Sequence, residues 1–63
     1  MSNTPNPFED LKQHLEQMEG DFQKFFEKGN KAAGTRVRKG MKELRDKAQD
    51  IRMQVQRIKN EEL

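Results

Sequence analysis

Apolar residues in the first half of the chain fall at Phe8, Leu11, Leu15, Met18, Phe22 and Phe25. The steps between them alternate 3 and 4. That is the spacing of one face of a helix, and the alternation of a strand cannot produce it. A second run, Val37, Met41, Leu44, Ala48, Ile51, Val55 and Ile58, repeats the pattern, and Ala33 extends it one turn back. The pattern predicts two heptad helices, over residues 7–28 and 31–60.

The polar residues between and around these runs supply the boundaries. Residues 1–6 are polar and expected to be disordered. Asn6 can cap free backbone donors, and Pro7 at the first helical position loses a hydrogen bond that was never available. Glu9 and Asp10 fall in the first turn, where the helix dipole favours negative charge. Gly20 costs the first helix about 1 kcal/mol relative to alanine, which the seam should outweigh. Phe26 widens the apolar face next to Phe25. Lys28 in the last turn followed by Gly29 is a helix stop, and Asn30 can cap the next helix, so residues 29–30 read as the turn. Gly34 and Gly40 are soft points in the second helix. A start at Thr35, with 29–34 as an open loop, is the alternative. Residues 61–63 read as a frayed end, since acids are unfavourable at a helix C-terminus.

Two such helices joined by a tight turn make an all-α, antiparallel, coiled-coil-like hairpin. At 1.5 Å per residue the helices would span roughly 30 and 45 Å. The second should therefore overhang the first and leave Ile51, Val55 and Ile58 partly uncovered. The chain has 63 residues, 30% apolar and 38% charged, which limits it to one small domain with little core of its own. Pairing of two hairpins into a four-helix bundle, as a dimer or tetramer, is the economical way to cover the rest.

Charge changes the picture from a generic hairpin to one with a direction. Residues 28–47 hold eight of the thirteen basic residues against two acids, a local charge of +6. Residues 1–27 hold two basic residues against six acids, or −4. On the second helix Lys31, Arg38, Lys42, Arg45 and Arg52 form a stripe separate from the apolar seam, flanked by Arg36 and Lys39. Lys28 and Asn30 sit at the hairpin tip, and Thr35 is surrounded by cations. A helix start with free amides and several cations suits phosphate, which arginine can grip with two hydrogen bonds. The competing reading is that acidic and basic helices simply exchange ion pairs across the hairpin. Exposed pairs of that kind contribute only ~0–1 kcal/mol each, a weak reason for such segregation.

Other chemistry is poorly provided for. The chain has no cysteine, so disulfides and thiolate sites are excluded. One histidine, His14, with Asp10 or Glu16 nearby makes a poor metal site. No serine or threonine has a plausible partner base, so neither an enzyme nor a small-molecule substrate or cofactor is expected. There is no apolar run of membrane-spanning length and no signal-peptide core, which points to a soluble cytoplasmic chain. The apolar face is committed to a heptad seam and lacks interfacial aromatics, so no membrane partner is expected. With no tryptophan or tyrosine, stacking on unpaired bases is disfavoured. No base-reading motif is present either. Sequence-independent contact with the phosphates of double-stranded DNA remains.

The run Glu27-Lys-Gly-Asn-Lys-Ala-Ala-Gly-Thr-Arg-Val-Arg38 resembles the signature of the linker-histone-like bacterial nucleoid proteins, best known from the chlamydial histone-like protein. The likeness is strongest from Phe25 to about Lys47. It implies DNA binding, DNA compaction, a self-associating helical region and a place in the nucleoid. The long chlamydial member carries a lysine-, alanine- and proline-rich tail, whereas this chain stops at Leu63. Duplex contact is then expected from the helical part itself, through Lys28, Asn30, Lys31, Thr35, Arg36, Arg38, Lys39, Lys42 and Arg45. A helical scaffold for an acidic protein, or an RNA-binding protein, are the alternatives.

Overall fold

The computed structural model describes residues 6–62; of the disorder expected for residues 1–6 and the fraying expected for 61–63, the parts at 1–5 and Leu63 lie outside the described residues. Among the described residues there are two helices, α1 (Phe8–Phe26) and α2 (Lys31–Glu62). Asn6 Oδ1 accepts the Phe8 amide at 3.0 Å, and Pro7 is already in helical conformation with its carbonyl taken by the Leu11 amide. Asn6 thus caps the helix that Pro7 pre-organises. α1 runs unbroken through Gly20.

At the other end Gly29 adopts φ +69°, a left-handed conformation that a side chain would strain. Its amide donates to the Phe25 carbonyl at 3.0 Å, and the Asn30 amide donates to that of Lys24 at 2.9 Å. These bonds close off α1 and reverse the chain. Asn30 then caps α2, its Oδ1 accepting the Ala33 amide at 3.1 Å. Helix begins at Lys31 and continues through Gly34 and Thr35, so no loop opens over 29–34. It continues past Asn60 to Glu62.

The packing is antiparallel. Asp21 pairs with Arg36 and Asp10 with Lys47, so α1 numbers fall as α2 numbers rise. Among the described residues the buried positions are few: Met18, Ala33, Val37 and Gly40. Gly34 and Gly40 are the places where α1 presses closest. A Cβ added at Gly34 would lie 2.5 Å from a ring carbon of Phe25, and one at Gly40 would overlap the end of the Met18 side chain. The two glycines are therefore seats rather than weak points, and they bring Met18 and Phe25 in against the α2 backbone.

That seating corrects the expected seam of α1. Leu11 and Phe22 are half-buried, but Phe8 and Leu15 are 62% and 48% exposed. The line that meets α2 is Leu11, His14, Met18, Asp21 and Phe25. Two helices touch along one narrow line, and a seam with two apolar columns can put only one of them there. The column Phe8, Leu15, Phe22 and Phe26 lies to one side, with the Phe22 and Phe26 rings stacked at 5.7 Å. α2 outruns α1 at its C-terminal end, where Ile51 and Ile58 are half-buried and Val55 is exposed. Among the described residues no helix is long and apolar enough to cross a membrane.

Candidate nucleic-acid interface

The buried positions Ala33, Val37 and Gly40 define the side of α2 that faces α1. At 3.6 residues per turn, Lys31, Thr35, Arg38, Lys42 and Arg45 lie roughly 120–200° around the helix from that side. They form the back of α2, pointing away from α1, and all five are exposed. Thr35, Arg38, Lys39, Met41, Lys42 and Arg45 line one open groove there. The Thr35 hydroxyl donates to the Lys31 carbonyl at 3.4 Å, so it is turned along the helix.

This geometry divides the cations. Among the described residues two ion pairs form, Arg36–Asp21 at 2.9 Å and Lys47–Asp10 at 2.7 Å. Both basic partners sit on the same flank of the α1–α2 contact line, within reach of α1. Arg36 was expected to flank the stripe, and the structure turns it to α1. Its hydrogen bond to Asp21, and secondly the opposite charge, raise the Arg36 pKa above its ordinary value. The same hydrogen bond, against a smaller opposing effect of burial, holds the Asp21 carboxyl below the usual 3.8, with the charges of Arg36 and Lys24 helping. The ion-pair reading of the charge pattern is therefore right for Arg36 and Lys47. It fails for the back of α2, because no acid of α1 can reach round the helix.

The tip contributes differently from expectation. Lys28, Asn30 and Lys31 are exposed. However, Asn30 Oδ1 is committed to the Ala33 amide, which removes one of the donors that a phosphate would have used. No acidic residue occupies the first turn of α2, so its dipole is left uncompensated and adds to the local positive potential. Of the nine expected residues, Thr35, Arg38, Lys39, Lys42 and Arg45 are brought together on one groove. Lys31 lies one turn away in line with them, Lys28 and Asn30 form the tip, and Arg36 is drawn to the opposite flank.

His14 was weighed only as a poor metal site, and the structure gives it a different task. It is half-buried, with Nε2 2.8 Å from the Gly40 carbonyl, to which it donates. A histidine four residues before Met18 on the contact line was the available signal, and the apolar count passed over it. Among the described residues no group of His, Cys, Asp or Glu converges as a metal site.

The family model described as histone H1-like protein Hc1 matches residues 6–61 of the chain. No curated protein and no solved structure matches it.

Proposed function

The chain belongs to the histone H1-like protein Hc1 family, a family of DNA-binding architectural proteins of the nucleoid, and from that premise we propose that the back of α2 is the surface that meets DNA. The observation that carries this is the groove lined by Thr35, Arg38, Lys39, Met41, Lys42 and Arg45: of its cations, Arg38, Lys42 and Arg45 face away from every acid of α1, while Lys39 also borders α1 beside His14 and Gln17. A helix presenting cations along one edge neutralises successive phosphates without reading bases. The binding is therefore independent of sequence and driven by counterion release. Lys28, Lys31 and the uncompensated start of α2 extend the contact at the tip. Arg36 joins only when a phosphate displaces Asp21.

An electrophoretic mobility shift with a random-sequence duplex, repeated over a salt series, tests the reading. If Lys31, Arg38, Lys39, Lys42, Arg45 and Lys28 each meet a phosphate, the log–log slope of affinity against salt is about −5. The triple variant Arg38→Ala, Lys42→Ala, Arg45→Ala lowers affinity for all sequences alike and flattens the slope by about 3 units. Unchanged affinity and slope in that variant would falsify the assignment of the surface. Structured RNA competing better than duplex would move the reading to RNA.

A further inference from the structure

The hairpin tip carries an aromatic ring that the packing of the two helices does not use. Phe26, the last residue of α1, is 69% exposed, the highest value among the large apolar residues described. The ring is nevertheless held in place. The Phe22 ring lies nearly parallel to it with centroids 5.7 Å apart, and the Phe25 ring meets it edge-on at 5.0 Å. Phe25 in turn is seated on the backbone of Gly34, so the exposed ring is braced against α2 through its neighbour. An aromatic side chain fixed in advance loses little freedom when it stacks on a ligand.

Its surroundings are cationic. In an antiparallel pair of right-handed helices, residues rotated the same way from the contact line emerge on the same face. By that rule Phe26 shares a face with Gly34, and Lys31 and Arg38 lie further round on the same side of α2. Along the axis Lys31 stands about 4.5 Å to one side of Gly34 and Arg38 about 6 Å to the other. The two cations therefore straddle the level of the ring. Both are exposed, and neither is in an ion pair among the described residues. The uncompensated start of α2 adds to the positive potential at this end. The nearest acids in sequence are set apart: Glu27 falls 100° further round, on the outer edge of α1, and Glu19 lies about 10.5 Å back along the helix.

An exposed ring between two cations has the parts needed to hold one nucleotide, with the base on the ring and the phosphates on the charges. We propose that Phe26 stacks on an unpaired base of single-stranded DNA, with Lys31 and Arg38 holding the phosphates on either side of it. The lack of tryptophan and tyrosine disfavoured stacking, but an exposed phenylalanine offers a base the same kind of π-face. A paired base is a poorer match. Reaching it takes a side chain that projects between the steps of a duplex, and this ring is tied down along its own helix by Phe22 and Phe25. The site borrows Lys31 and Arg38 from the surface proposed for the duplex, so strand and duplex compete for them. The stacking itself does not rest on duplex binding by that surface.

Fluorescence anisotropy with a labelled single strand of about ten nucleotides, set against an abasic strand of the same length, tests the proposal. Wild type should bind the base-bearing strand about tenfold more tightly. Phe26→Ala should abolish that preference while affinity for the abasic strand, the salt slope and the helical circular dichroism stay as they were. Phe8→Ala, at the far end of α1 where Phe8 is 62% exposed, should keep the preference. The chain has no tryptophan, so Phe26→Trp supplies a lone indole. The base-bearing strand should quench its fluorescence, and the abasic strand should not. No preference in wild type, a preference that survives Phe26→Ala, an equal loss in Phe8→Ala, or an unquenched indole would each overturn the site. A wild type that shows the preference and yet fails to shift a duplex would count against the back of α2 and leave the stacking site standing.

Discussion

The two sides of α2 carry similar cations and meet different fates. Arg36 and Lys47, on the flank beside α1, close onto Asp21 and Asp10. Arg38, Lys42 and Arg45, on the back, face solvent along one groove. Angular position on the helix, more than the amount of charge, decides which cations remain for a partner. The total of +6 over residues 28–47 overstates the available charge, since two of its eight cations are already engaged.

The most damaging change addresses the inner side. Val37→Asp puts a carboxylate where Val37 is 8% exposed, at a cost of several kcal/mol in a fold with four buried positions among the described residues. Helical circular dichroism should collapse at 25 °C, whereas Lys42→Asp on the back should retain it. Equal helicity in the two variants would erase the distinction between the sides.

Next in size is a contrast between cations in the mobility-shift assay. Arg38→Ala with Lys42→Ala should lower duplex affinity at least tenfold in low salt, and Arg36→Ala with Lys47→Ala less than threefold. Equal losses would mean that the ion pairs open on contact and the flank belongs to the interface.

The glycines extend the comparison to the backbone. Gly20 has open space around it, so Gly20→Ala should stabilise the fold by about 1 kcal/mol in urea unfolding. Gly34→Ala must push the Phe25 ring aside and should give no such gain. A gain at both positions would show that Phe25 is not seated there.

The smallest effect is on acid stability. Because the Asp21 carboxyl titrates below its ordinary 3.8, its contribution is present above that value and is lost as pH falls through the lower folded pKa. Asp21→Asn should therefore lower stability slightly at pH 7 and converge with wild type in strong acid. A constant difference down to pH 2 would exclude the carboxylate as its source.

Much of the molecule was legible from residue order. Asn6-Pro7 and Gly29-Asn30 act through hydrogen bonds to backbone groups a few residues away, so their effect needs no knowledge of the partner helix. The basic stripe was legible for the same reason, since helical phase follows from spacing. His14 and the exposure of Leu15 were not legible. Both depend on how far α1 is rotated about its axis, and the seats at Gly34 and Gly40 set that rotation. A heptad count treats Leu15 and Met18 alike, although one faces solvent and the other the α2 backbone.

Sequence alone determined that there are two helices, where the chain turns, that acid and base are segregated between them, and that the cations form a stripe. Each of these follows from interactions between residues close along the chain. Only the tertiary structure decided which apolar column is buried and which is left on an open face. It also decided which cations are consumed by Asp10 and Asp21, and that the back of α2 stays free. Those outcomes depend on the mutual rotation of two helices, which short-range preferences leave open and the interlocking of Met18 with Gly40 and Phe25 with Gly34 settles.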